Sequence, residues 1–211
     1  MSVSNHKSIY FRTLQVFLLL CVCPAFPFGV SAARADAMFD YYEAYNKGDF
    51  ATAAVKIETL AKNGAPEAQY LLAGLFEQGK AYHQNFKMAF SWYSKAAEQG
   101  HLMAQMHLAF DYEWGQGTDK NEVLAQKWYR KAALQGSAFA QYEYGKLRYS
   151  GKGSARDPVL AYAMLSIAAT NGWKEAEEFK DKITPNLTAE QLSHGNEIAE
   201  KCMSSHYLYC D

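Results

Sequence analysis

The sequence predicts an all-α protein, an α/α superhelical solenoid of helix-turn-helix repeats with a C-terminal capping helix. Three observations lead there. Gly stands at 64, 100, 136 and 172 and Ala at 68, 104, 140 and 176, each 36 residues apart. Apolar residues recur at helical spacing inside each period, and no segment alternates as a strand would. Glycines close both halves of the period, where a helix commonly ends.

Composition agrees. With 211 residues, 49% hydrophobic and 20% charged, the chain can bury one sizeable core, which excludes a disordered, collagen-like or multi-spanning membrane protein. Lys plus Arg number 21 and Asp plus Glu 22, so no nucleic-acid partner is expected.

Taken in order, the first element is not part of the fold. Residues 1–12 carry His6, Lys7 and Arg12 and no acid; the run 16–22 is wholly apolar, and Ser31, Ala32, Ala33, Ala35 and Ala37 follow Pro24 and Pro27. This is the order of a secretory signal peptide, with cleavage expected after Ala35 or Ala37. The apolar run is far short of the ~20 residues that span a bilayer, so no stable membrane insertion is expected after cleavage. Cys21 follows Leu20 and Cys23 follows Val22, which does not suit a lipoprotein. Residues 1–35 hold three bases and no acid, so their loss takes the net charge from −1 to −4. The predicted location is the periplasm or the outside of the cell.

A partial repeat is expected over 38–64, full repeats over 65–100, 101–136 and 137–172, and a cap and tail over 173–211. In each full unit the first helix ends at Gly79, Gly115 or Gly151. The segment Pro66–Gln78 sets Ala68, Leu72, Ala73 and Phe76 on one stripe. The last second helix opens on Asp157-Pro158, an N-cap followed by proline. Alanine columns allow close helix approach, with Trp92, Tyr93, Trp128 and Tyr129 supplying bulk; stacked pairs then bury what one pair cannot. Thr188 and Gln191 form a capping box that opens the final helix.

Cys202 and Cys210 are the two cysteines left after signal cleavage, and an oxidising compartment predicts that they pair. Eight residues of continuous helix span about 12 Å, too far for a disulfide, so the tail must turn back, and the aromatic segment Tyr207-Leu208-Tyr209 is then expected to fold onto the solenoid end and shield it.

The residues Ala68, Tyr70, Leu72, Ala73, Phe76, Gly79, Ala89, Trp92, Tyr93, Lys95, Ala96, Ala97 and Gly100 resemble the Sel1-like repeat, a relative of the tetratricopeptide repeat. The second unit keeps most of the pattern; in the third, Met164, Leu165 and Ile167 replace Trp, Tyr and Lys. The resemblance covers about residues 40–200 and implies a scaffold for protein–protein interaction without naming a partner.

No catalytic motif accompanies it. There is no Cys-x-x-Cys, His-Glu-x-x-His, Walker loop, Gly-x-Ser-x-Gly or Ser-x-x-Lys of the penicillin-recognising kind. The loops Gly115-Gln-Gly117 and Gly151-Lys-Gly153 follow no strand and are not phosphate cradles. His101 and His107, six residues apart, share no helix face and are read as surface histidines, so no metal or cofactor is expected. Asn186-Leu-Thr188 is read as the start of the last helix rather than a glycosylation site.

By analogy with tetratricopeptide geometry, first helices line the concave face. The inward positions are Glu67, Tyr70, Gly74, Glu77 and Gln78; then Met103, Met106, Phe110, Glu113 and Trp114; then Phe139, Tyr142, Lys146, Tyr149 and Ser150. From these, Tyr70, Met103, Met106, Phe110, Trp114, Phe139, Tyr142, Lys146 and Tyr149 are the candidate contacts for a protein or extended peptide. Phe110 and Trp114, four apart where the pattern asks for no large apolar residue, either form an interface hot spot or pack on neighbouring helices. The expected function is that of an exported, non-enzymatic adaptor, an immunity or inhibitor protein being one form of it. The alternative is a cell-envelope hydrolase or penicillin-binding activity, claimed for cysteine-rich relatives that carry a Cys pair in every unit.

Overall fold

The computed structural model describes residues 28–210; the signal-peptide segments expected within residues 1–27 lie outside the described residues. The chain divides into Met1–Asp36 and Ala37–Asp211, and the 36-residue periods all lie in the second unit. The described residues contain ten α-helices and no strand.

Five first helices alternate with their partners. The pairs are α1 (Phe28–Asn46) with α2 (Phe50–Lys62), α3 (Pro66–Gln78) with α4 (Phe86–Glu98), α5 (Leu102–Trp114) with α6 (Glu122–Ala133), and α7 (Ala138–Ser150) with α8 (Pro158–Thr170). Helix α9 (Lys174–Ile183) begins a fifth pair, and a 3-10 turn over Thr184–Asn186 leads to α10 (Ala189–Ser204). The N-terminal partial unit holds both helices of a pair, since Tyr41 and Ala44 share a core with Ala53, Ala54 and Ile57.

The helix ends explain the period. Asn85, Asn121 and Asp157 cap successive second helices, each side chain accepting a hydrogen bond from the backbone N–H of Met88, Leu124 or Leu160. First helices α3, α5 and α7 end in left-handed glycines, Gly79, Gly115 and Gly151, at φ 67°, 74° and 74°. The alanines at 68, 104, 140 and 176 are wholly buried, and Tyr93 and Tyr129 share one core with Ala104 and Ala140. Each such large buried side chain contributes on the order of 2 kcal/mol. Lys95 lies 3.9 Å over the Trp92 ring and Lys131 4.1 Å over Trp128, which gives the lysine of the repeat a stacking role.

The Gln column at 69, 105 and 141 fastens one unit to the next. Each side-chain amide donates to the carbonyl of Ala61, Ala97 or Ala133, at 3.1–3.2 Å. Each side-chain oxygen accepts from Gln99, Gln135 or Asn171, at 2.7–2.9 Å. A buried amide is costly unless paired, so the column recurs as a set.

The Gly-x-Gly loops have a packing role. A Cβ on Gly117 would stand 2.2 Å from the Phe86 carbonyl oxygen, and one on Gly153 2.3 Å from that of Glu122. Each loop therefore presses its backbone onto the first turn of the preceding second helix. The equivalent position in the first unit is Ala81, held at φ 65°.

At the C-terminus the Thr188–Gln191 capping box is formed on both sides. Helix α10 packs on α8, where Met164 and Ile167 share the core with Ala199 and Cys202. The third unit's departure from Trp and Lys follows from that burial. Positive φ at His206 and Tyr207 turns the tail back, and Cys202 and Cys210 form a disulfide with Cα atoms 4.4 Å apart. Tyr207 packs against Gly136 and accepts a hydrogen bond from Asn171 Nδ2 at 2.9 Å. The rest of the expected aromatic shield does not form. Leu208 and Tyr209 stay exposed, the Tyr209 ring lying 5.9 Å from Lys201 Nζ of α10.

Candidate functional site

The first helices present two adjoining cavities that meet at Glu77 and His107. The first, about 330 Å³, lies between α1 and α3 and is lined by Tyr41, Tyr42, Tyr45, Tyr70, Gly74, Glu77, Gln78, Tyr93 and His107, with Asn46 and Leu71. The second, about 430 Å³, is lined by Met103, Met106 and Phe110 of α5, Phe139 of α7 and Trp173, again with Glu77 and His107.

Helical spacing assembles the apolar cavity. Met103, Met106, His107 and Phe110 fall at i, i+3, i+4 and i+7 on one face of α5. Met103 and Phe110 remain 42% and 41% exposed, so they are not satisfied core residues. Phe139 packs edge-on against Trp173 at 5.3 Å and closes the far wall.

A polar cluster separates the two cavities. The Tyr93 hydroxyl donates to Glu77 Oε2 at 2.7 Å, and Gln116 Nε2 donates to Oε1 at 3.1 Å. The His107 ring stacks on Tyr93 at 4.5 Å, with its Nδ1 3.8 Å from Glu77. Burial lowers the His107 pKa, against an opposing pull from Glu77. Asp111 is buried nearby, and burial, reinforced by Glu77, raises its carboxyl to about 7. Burial and the bond to Glu77 likewise raise the Tyr93 phenol. The next unit repeats the Tyr–Glu bond, with Tyr129 donating to Glu113 at 3.1 Å.

The expected contacts separate into groups. Met103, Met106, Phe110 and Phe139 meet in the apolar cavity, and Tyr70 lines its polar neighbour. Trp114 lies 6.1 Å from Phe110 and is 68% exposed, outside the cavity lining. Tyr142 and Tyr149 pack edge-on against Phe179 of α9, which covers part of that stretch; Lys146 lies over Tyr142 and pairs with Glu143.

The reading of His101 and His107 as surface histidines is overturned. His101 caps α5 through Nδ1 and pairs with Glu67 through Nε2 at 2.8 Å, and both imidazoles lie against the Tyr70 ring. Separation along one helix does not reveal this, because the two rings meet on a residue of the preceding unit. His107 still carries a local signal, since it shares the i, i+4 stripe with Met103. Trp173 is a further lining residue that the sequence does not flag; it stands in the column of Ala65, His101 and Ser137, which carries no periodic aromatic.

The Sel1 repeat pattern matches residues 66–101, 102–137 and 138–173. The chain belongs to the Sel1 repeat family. A crystal structure of a Sel1 repeat protein from Oxalobacter formigenes is 34% identical at a TM-score of 0.57, with 61% of this chain and 96% of that one covered. Cysteine rich protein B of Helicobacter pylori shares the fold at 19% identity and a TM-score of 0.50, over 61% of this chain and 96% of its own. A search of curated proteins returns no match. Sel1 repeat proteins are generally non-enzymatic scaffolds for protein interaction. In this Sel1 member, no described helix is long and apolar enough to cross a membrane.

Proposed function

We propose that this protein is exported and binds a protein partner, through an extended peptide segment, on the face of its first helices. The observation that carries this reading is the cavity of Met103, Met106, Phe110, Phe139 and Trp173, which keeps large apolar side chains open to solvent. Aromatic and methionine side chains concentrated in one concavity are the composition of binding hot spots. The signal-like N-terminus and the Cys202–Cys210 disulfide support export to the periplasm or beyond. An immunity or inhibitor role is one form of such binding.

The test is the double variant Phe110→Ala, Trp114→Ala. Both residues are exposed, so thermal stability should change by less than about 1 kcal/mol. Affinity for a peptide partner should fall at least tenfold. Unchanged affinity in a folded double variant would place the interface elsewhere.

A further inference from the structure

We infer that the cavity between α1 and α3 receives a basic side chain of the partner, its guanidinium or ammonium group held among tyrosine rings and the Glu77 carboxylate. This rests on the peptide-binding reading above and specifies what one half of the site takes.

The first argument is the chemistry of the walls. Tyr42, Tyr45, Tyr70 and Tyr93 contribute to one cavity, and aromatic faces attract cations. Tyr45 already holds an ammonium on its ring, since Lys80 Nζ lies 4.5 Å from the ring centroid and donates to the hydroxyl at 2.7 Å.

The second is the balance of charge. Glu77 is met by a phenol and an amide, and the imidazole of His107 at 3.8 Å is held toward its neutral form by burial. Glu67 accepts from Tyr42 at 3.3 Å and pairs with His101 beside Tyr70. Gln78 Oε1 accepts from Tyr45. Acceptors thus crowd the site around two carboxylates, opposed by Lys80 at one rim. A guanidinium brings five donors and a delocalised charge that stacks on aromatic rings.

The third is the space. Gly74 stands where the next two units carry Phe110 and Lys146. A Cβ there would meet nothing nearer than 3.8 Å, so helix packing does not demand the glycine. Glycine inside a helix is unfavourable, yet its absent side chain leaves this cavity open. The shared border at Glu77 and His107 lets one extended segment place an apolar side chain in one cavity and a basic one in the other.

The experiment is a two-dimensional NMR titration with three probes: N-acetyl-arginine amide, N-acetyl-citrulline amide and N-acetyl-phenylalanine amide. Citrulline keeps the shape of arginine without its charge. The arginine probe should shift the ring signals of Tyr45, Tyr70 and His107 and bind about tenfold tighter than citrulline. Glu77→Gln and Gly74→Leu should each remove that preference, and in the Gly74→Leu variant, whose substitution lies outside the apolar cavity, the phenylalanine probe still shifts Met103, Phe110 and Phe139. Gly74→Leu fills the cavity from an open helix position, so it tests the site even where Glu77→Gln disturbs the polar cluster. Equal binding of arginine and citrulline, or no shift with arginine, overturns the inference. If phenylalanine alone binds, the peptide reading stands without it; if no probe binds, both fall.

Discussion

At positions 36 residues apart, the first unit carries Glu67, Tyr70 and Gly74, and the second carries Met103, Met106 and Phe110. The backbones at these positions belong to equivalent helices, α3 and α5. One stretch of the face is therefore acidic and aromatic, with no side chain at Gly74, and the next is apolar, with Phe110 at that position. The alanine and glutamine columns beneath them hardly vary, because each is fixed by a contact to the neighbouring unit. In a stacked array the buried columns set the frame, and the outward columns are free to take on the chemistry of the ligand.

The comparison can be broken from the frame side first. Gly117→Ala places a Cβ against the Phe86 carbonyl at a residue with φ 72°. It should cost on the order of 3 kcal/mol, read as a fall in the denaturation midpoint. A loss below about 1 kcal/mol would show that the loop does not lock the first two full units together.

A smaller effect sharpens the boundary between the two cavities. Asp111 stands in a column that carries buried Leu75 and Leu147 in the flanking units. Its carboxyl stays protonated in the folded chain up to about pH 7, whereas in the unfolded chain it ionises above about 4. The unfolded state binds fewer protons between those values, so this group lowers stability as pH rises through that window. Asp111→Leu should stabilise by on the order of 2 kcal/mol at pH 8 and much less at pH 4, in parallel chemical denaturations. Equal gains at both pH values would mean that Asp111 keeps an ordinary carboxylate pKa.

The repeat makes the frame legible. Periodic Ala, Gly and Gln columns, the Asn/Asp caps and the capping box each reflect a local rule, and Met103, Met106 and Phe110 are visible as an apolar stripe. What stays hidden depends on side chains meeting across units. The Glu77–Tyr93–His107 cluster joins three helices, and no spacing along the chain brings those residues together. Tyr142 and Tyr149 look like inner-face residues by position, but α9 occupies part of the surface they would offer. Beyond Tyr207 the aromatic pattern of the tail misleads, because the turn at His206 and Tyr207 returns the chain to Cys202 with Leu208 and Tyr209 left exposed.

The most direct test of the two-cavity account is selection of a random peptide library displayed on phage against the purified protein, repeated with the Phe110→Ala, Trp114→Ala and Gly74→Leu variants. The account predicts a consensus with one aromatic or aliphatic residue near one Arg or Lys. The apolar position should be lost with the first variant and the basic position with the second. A consensus rich in acidic residues, or one unchanged by either variant, would contradict it.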